Sequence, residues 1–516
     1  MTHWLIAPII LPAMMAPFVV LAARYHIGIQ RVFSIAGVLT LVVISAALSW
    51  VASDGTIMLY QLGDWAAPFG IVLVGDRLST MMILLTSVLA LVVLLYAISS
   101  RWDERGRHFH ALFQFQLMGI LGAFLTGDLF NLFVFFEVLL IASYGLMIHS
   151  GGTARLRAGV QYVLFNLIGS TLFLFALAGL YAETGTLNMA DLAERVALIS
   201  PDETAGIRVA AVLLILVFAI KAALVPLHFW LPSSYAEAPA PVAALFAIMT
   251  KVGAYAIIRV YTMIFPTDLA ATAGLHDVWL LPLALLSLAV GTVGVLAAKQ
   301  FDRLVTFAIV GSMGMVLVAV GLFTQAGIAA ALYYIVHSTL AAAALFLIVD
   351  LVRVSRKSLA LEAQPAIAGA VPIAALFFVS AIAMAGLPPL SGFLGKLLVL
   401  QAAFPTTHAT WVWAVVLTTS LISVVGFARA GSTIFWKAKA VPADPQAARP
   451  PEPATMSYVA VGLLVLLLAL HTVFAGQMHG YTTKIAAQLF APAPYLATVL
   501  DTPGKLGDGG TKEEDH

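Results

Sequence analysis

Residues 218–232 read FAIKAALVPLHFWLP. A lysine, Lys221, and a helix breaker, Pro226, stand five residues apart in an apolar run that begins near Ile207. Proline lacks the amide hydrogen and clashes with the preceding turn, so it breaks or kinks a helix. An ammonium deep in an apolar helix is costly unless it is paired or functional. The fold depends on whether water or lipid surrounds this run, and the rest of the chain answers that.

Of the 516 residues, 62% are hydrophobic and only 10% are charged. A soluble domain carries roughly 25% charged residues. This chain cannot cover its surface with polar groups, so lipid is its solvent. The net charge of +1 gives no bulk attraction to nucleic acid. The absence of cysteine excludes cysteine-ligated iron–sulfur clusters, thiolate zinc sites and disulfides, and no cofactor is expected. The opening MTHWLIAPIILPAMMAPFVVLAARYH lacks a basic segment before its apolar run, and its first arginine is Arg24. That layout predicts a first membrane helix rather than a cleaved signal peptide.

A membrane crossing takes roughly 20 apolar residues. On that criterion the chain is an all-α membrane protein with about fourteen transmembrane helices, from 4–23 to 456–476. Residues 371–403 exceed one ordinary span and contain Pro388 and Pro389, which predicts an interrupted helix. Alternate loops differ in charge. One set holds fifteen Lys and Arg, among them Arg24, Arg31, Arg101, Arg155, Arg303 and Arg353. The other holds little beyond Arg77, Arg195 and Arg208. The positive-inside rule puts the first set in the cytoplasm and, with an even helix count, both termini outside. Residues 56–76 are broken by Gly and Pro and read as a segment over the outer face.

FAIKAALVPL (218–227) aligns with SAIAMAGLPPL (380–390). Ala219 and Ile220 match Ala381 and Ile382, Ala223 matches Ala385, and Pro226 matches Pro388. The two segments lie in the seventh and twelfth helices, and an odd offset reverses direction in the membrane. Two inverted five-helix repeats, helices 4–8 and 9–13, are therefore expected, each with an interrupted helix flanking a midplane site. The domain plan is an N-terminal segment 1–107, a first repeat 108–265, a second repeat 276–436, a cytoplasmic linker 437–455, a last helix 456–476 and a mobile tail 491–516. The prolines free backbone groups, which membrane interiors tolerate only beside protein or water. Hydrated spots are expected at Pro226, Pro388 and Pro389.

Four charges fall deep in apolar spans: Glu137, Lys221, Lys251 and Lys396. Each costs roughly 2.5–3.5 kcal/mol at the bilayer centre, so each should face the interior and have a partner. Glu137 is the one deep acid, and Lys221 is its first expected partner. A static salt bridge is the plainer alternative, but three lysines against one acid leave charge unpaired. Desolvation lowers a lysine pKa and a nearby carboxylate raises it, so a water-linked row of such groups can relay protons. His337 in YYIVHSTLAAAAL is a further candidate, since imidazole passes protons between its two nitrogens. His228 reads as a weaker candidate at a cytoplasmic mouth. Arg259, Asp350 and Arg429 read as helix-end groups reaching water. His108, His110, His471 and His479 read as interfacial and without a role.

The strings FFEVLLIASY, FAIKAALVPLHFWLPSSY, PAPVAALFAIMTKVGAY and SAIAMAGLPPLSGFLGK carry a resemblance. The chain is similar to the antiporter-like subunits shared by respiratory complex I, membrane-bound hydrogenases and Mrp-type cation/proton antiporters. GAFLTGDLFNLFVFFEVLLIASY, GTLNMADLA, GDWAAPFGIVLV and AGLPPLSGFLGK resemble the D-type subunits of the Mrp group, also called Mnh, Pha or Sha. The resemblance covers the chain to about residue 436. It implies a secondary transporter subunit rather than an enzyme, working in a bacterial cell membrane with partners of the A, B, C, E, F and G types. The complex would exchange Na⁺ or K⁺ for protons. The matching relay positions are Glu137, Lys221, Lys251 and Lys396. The alternative it leaves open is a proton-pumping module of a redox complex. Relatives often carry a helix-11 lysine where this chain has Ala342, a histidine where it has Ser338, and a helix-8 histidine where it has Phe246. The middle of the relay is therefore sparser, and His337, water or a neighbouring subunit would have to bridge Lys251 to Lys396.

Overall fold

The computed structural model describes residues 2–275, 278–367, 369–442 and 452–504. The chain opens with α1 (Ala7–Leu21), α2 (Ile27–Ala52) and α3 (Arg77–Ser99). The next crossings are α4 (Phe109–Leu125), α5 (Leu129–Met147) and α6 (Thr153–Thr184), followed by a short helix α7 (Met189–Ala197). Two half-helices, α8 (Ala205–Lys221) and α9 (Trp230–Glu237), make one broken crossing before α10 (Ala240–Met263). The second half of the chain holds α11 (Leu280–Ala297), α12 (Phe301–Gly321) and α13 (Gln325–Arg356). It then holds the broken pair α14 (Ala370–Ala385) and α15 (Ser391–Ala403), and α16 (Ala409–Gly431). The last helices are α17 (Thr455–Val473), α18 (Ala475–Leu489) and α19 (Ala493–Leu500).

Among the described residues, eleven helices are long and apolar enough to cross a membrane. The shorter α4 and the two broken crossings complete the fourteen expected. The protein is thus a multi-pass membrane protein. α10 and α13 are buried along their whole apolar windows, whereas α1, α2 and α17 bury only about a third to two-fifths of theirs. The charged site therefore sits on central helices, and the outer helices face lipid or partners. Small residues let α11 and α12 touch backbone to backbone: a Cβ on Gly291 would lie 2.2 Å from Gly311 N. Membrane helices pack closely in this way, since no hydrophobic effect drives them together.

Residues 56–76 form an antiparallel hairpin, β1 (Met58–Gln61) with β2 (Val72–Gly75), pairing Met58 with Gly75 and Gln61 with Val72. Asp128 caps α5 by accepting from Asn131 N (2.8 Å). Two helices beyond 473 were not expected. α18 buries Thr482, Ile485, Ala486 and Leu489, an i, i+3, i+4, i+7 face set among Gly, His and Lys. α19 lies in the stretch expected to be a mobile tail, and it buries Tyr495 and Val499. The end of that tail, GDGGTKEEDH, and residues 443–451 of the expected linker 437–455 lie outside the described residues.

One end of the bundle carries a belt of ionic contacts. Arg31 binds Asp103 (2.6 Å) and Glu104 (2.6 Å), and His110 meets Asp103 (3.2 Å). Burial alone would raise the Asp103 pKa, but hydrogen bonds from His110 and Arg31 hold it below the usual carboxylate value. His149 Nε2 meets Trp102 O (2.9 Å), and Arg155 joins His149 O (3.0 Å) to Glu237 O (2.7 Å). Arg303 reaches Glu237 (3.7 Å) and Arg353 reaches Asp302 (3.3 Å). The basic loops at 31, 101–107, 155, 303 and 353 thus share one face.

Several residues depart from their sequence reading, His471 among them, since it is buried rather than interfacial. His110 is wholly buried rather than interfacial. Arg259 does not snorkel to water: it is buried in a bidentate pair with Asp76 (2.6 and 2.7 Å). Asp350 is also buried, accepting from Tyr96 OH (3.0 Å) and Trp102 Nε1 (2.8 Å). His110, Arg259 and Asp350 each found a protein partner where water had been expected.

Candidate functional site

The first break has its helix end well before its proline. Pro226 has no N–H to offer the carbonyl one turn back, and α8 stops at Lys221. Lys221 is therefore the last residue of a half-helix rather than a mid-helix residue. A cation there is favoured by the partial negative charge of the helix C-terminus. The freed backbone groups are taken up by protein. Ala223 adopts a left-handed φ of 55°. Val225 N donates to Ser287 Oγ on α11 (2.8 Å), and Trp230 Nε1 donates to Ile220 O (3.1 Å).

Glu137 and Lys221 make no ion pair within 4.0 Å, contrary to the expected direct contact. α6 supplies the connection instead. Ser170 Oγ donates to Glu137 Oε1, and Lys221 Nζ donates to Asn166 Oδ1 (3.3 Å), one turn earlier on α6. The ammonium also lies 5.9 Å from the Phe136 ring centroid, a weak cation–π contact. Beside it is a cavity of about 20 Å³, lined by Tyr162, Asn166, Lys221, Trp230 and Tyr235 among others. That suffices for roughly one water. Pro226 itself is exposed and borders a separate, apolar cleft of about 220 Å³ with Ile215, Leu216 and Leu283. The polar space is thus on the lysine side of the break and not at the proline.

α10 presses directly on this break. A Cβ on Gly253 would lie 2.7 Å from Ala222 N and 2.8 Å from Phe218 O. These are backbone atoms that cannot swing aside. Gly253→Val is expected to force α10 off the break, destabilise the protein by about 1–3 kcal/mol as overpacking does, and slow transport. Thermal unfolding and transport of the purified variant check it, and unchanged values for both would contradict the close contact. Two residues earlier, Lys251 is fully buried on α10, and its Nζ has no protein hydrogen-bond partner among the described residues.

The second break repeats the plan with one change. α14 ends at Ala385, and Gly386 turns the chain with a φ of 79°. Lys396 comes from α15, beyond the break, and folds back: its Nζ donates to Ala385 O (2.7 Å) and to Ser420 Oγ on α16 (2.9 Å). A side chain on Gly386 would strike Lys396 Cδ at 2.7 Å. Lys221 and Lys396 therefore both stand at the C-terminal end of a broken helix, one from within it and one from across the gap. A cavity of about 20 Å³ adjoins Lys396, with Thr292, Ser312 and Tyr334 in its lining. Pro388 and Pro389 are exposed, and the cavity at this break adjoins Lys396 rather than the prolines.

His337 lies on α13, fully buried, with Nδ1 2.9 Å from Ser391 Oγ at the start of α15. It is within electrostatic reach of Lys251, Lys396 and His471. His228 is only half-buried, just after the first break. Among the described residues no group of three His, Asp or Glu side chains is placed to hold a metal ion. Sequence reading missed Asn166, Ser170, Ser391 and Ser420. The one available signal for the first two was NLIGS (166–170), a polar pair one turn apart in an apolar helix.

Buried ammoniums with few polar partners, water-sized cavities and a linking imidazole can hold protons and pass them on. Residues 126–423 match the family described as NADH:quinone oxidoreductase/Mrp antiporter, TM. The chain is 38% identical to the D-type subunit of a probable K⁺/H⁺ antiporter from Rhizobium meliloti, over 97% of this chain and 98% of that one. It is also 38% identical to the D-type subunit of the Na⁺/H⁺ antiporter from Alkalihalophilus pseudofirmus, over 97% and 100%. Its fold matches a chain of the Mrp complex from a Dietzia species with a TM-score of 0.87, 27% identity and coverage of 97% and 100%.

Proposed function

The chain belongs to the NADH:quinone oxidoreductase/Mrp antiporter family, and on that premise we propose that it is the proton-moving D-type subunit of a multisubunit Na⁺(K⁺)/H⁺ antiporter. The observation that carries this reading is the pairing of each broken helix with a buried lysine at its C-terminal end. Protons pass along Glu137, Lys221, Lys251, His337 and Lys396. Glu137 is half-buried at the edge of the chain, which suits exchange with a neighbouring subunit. His337 stands in for the absent helix-11 lysine between Lys251 and Lys396.

The inverted repeat is part of the same reading. Both breaks draw a hydroxyl from the helix that follows their five-helix unit: Ser287 on α11 serves Val225 N, and Thr472 on α17 serves Ser391 N (2.9 Å). The shared face of Arg31, Arg155, Arg303 and Arg353 is cytoplasmic by the positive-inside rule, with both termini on the opposite side. The partners are the other subunits of the complex, with lipid around the outer helices.

Everted vesicles from cells expressing all subunits test the function. With an acid-inside ΔpH established, added Na⁺ or K⁺ should dissipate it, as read by a fluorescent pH probe, and Lys251→Met in the same complex should remove the response. An assembled wild-type complex that answers neither cation overturns the antiporter reading. A ΔpH built on supplying an electron donor would instead mark a redox-driven module.

A further inference from the structure

α17 is tied into the second break rather than laid beside it. Thr472 Oγ1 on α17 accepts from Ser391 N, and Ser391 Oγ in turn meets His337 Nδ1. Next to Thr472, His471 is buried to 6% exposure and stacks on Tyr333, one turn before His337, with ring centroids 4.3 Å apart. Buried polar groups in proteins are nearly always hydrogen-bonded. The His471 ring lies near the Tyr333 backbone and the His337 ring near that of Ala383, but among the described residues no hydrogen bond of good geometry reaches either ring nitrogen of His471 or His337 Nε2. His471 instead lines a cleft of about 290 Å³ between α3, α13, α17 and the start of α18. The cleft runs past Val336 to Phe474, which is exposed at the turn from α17 to α18. It has room for several waters, but its lining is apolar apart from His471, so a water there is held by the imidazole and by the open end at Phe474.

We propose that His471 is a further proton-carrying residue, linking the pocket of His337 and Lys396 to the aqueous face at the turn from α17 to α18. This rests on the antiporter reading and extends its proton path. A proton arriving on one nitrogen of the neutral ring is matched by one leaving the other, through water in the cleft. The ring ends in its other tautomer and resets by rotation, so no proton is gained or lost. The groups facing His471 are Tyr333 and His337 of α13, with Lys396 beyond them. α3 and α18 offer it apolar side chains such as Met81 and Met478.

The test uses the complete complex in everted vesicles. His471→Phe keeps the stacking on Tyr333 and removes both nitrogens. Cation-driven proton movement should then slow at least about tenfold, the low side of what a positioned proton-transfer group contributes. His471→Gly should be equally slow and should be restored by added imidazole but not by benzene, which fills space without carrying a proton. Transport at the wild-type rate in His471→Phe, or equal rescue by benzene, overturns the proposal. If His471→Phe fails to assemble, the imidazole arm decides. A wild-type complex that moves no protons in response to cations defeats the antiporter reading instead, so the two failures are distinct.

Discussion

Lys221→Met is expected to abolish cation-driven proton movement while leaving the complex assembled. The loss follows from what the ammonium touches. Among the described residues its Nζ has one hydrogen-bond partner, Asn166 Oδ1, and a cavity for about one water lies beside it. Without a titratable group there, no carrier remains between the Glu137 and Ser170 pair and Lys251. Assembly should survive because a buried charge costs folding energy unless it is paired. An apolar chain of similar length removes that cost, and it strands only the Asn166 amide oxygen, at about 1–3 kcal/mol. Lys221→Arg should fail as well, since a guanidinium stays protonated throughout the working pH range. Asn166→Ala keeps the carrier and removes its anchor, so it should slow transport without abolishing it. Normal ΔpH recovery in Lys221→Met vesicles would remove Lys221 from the path.

Much of this was legible in the sequence, for a definite reason. Crossings and breaks are local properties: apolar length and the missing N–H of Pro226 and Pro388 speak for themselves. So do isolated charges such as Lys251 in an apolar run. Partnership is not local. The expected Glu137–Lys221 contact gave way to Asn166 and Ser170 because α6 lies against both α5 and α8, and no spacing within one helix reveals that. Helix rotation is equally hidden, and it turned the prolines toward apolar surface and the lysines inward. Histidines near span ends were read as interfacial by their position along the chain. His471 and His110 became buried because other helices cover those ends. α18 and α19 were missed because their polar residues obscure short buried faces that matter only once α3, α7 and α13 are in place.

Breaking the Arg259–Asp76 pair is expected to have the largest effect on stability of any single change outside the relay. Two short hydrogen bonds join the groups, and both are buried. Asp76 also caps α3 by accepting from Ser79 N (2.9 Å), while Arg259 reaches Ser79 Oγ (3.1 Å). Burial would raise the Asp76 pKa, but Arg259 holds it below the usual carboxylate value. Its stabilisation is therefore fully present above the unfolded pKa of about 3.9 and is lost as the pH falls through the lower folded value. Removing one partner leaves an uncompensated buried charge, so Arg259→Met should cost about 3–5 kcal/mol. Asp76→Asn keeps a capping oxygen but strands the Arg259 charge, so it should cost a comparable amount. The double variant should recover most of the Arg259→Met loss, because neither charge is then left alone. Thermal unfolding of the purified complex measures all three. Additive losses, or a loss under about 1 kcal/mol in Arg259→Met, would contradict the pair's role. The pair also touches α19, since Tyr495 lies with its ring centroid 5.4 Å from the Arg259 guanidinium. Truncation before Ala493 should consequently lower the same unfolding temperature, and should do so less in the double variant, where the cation that the ring covers is gone.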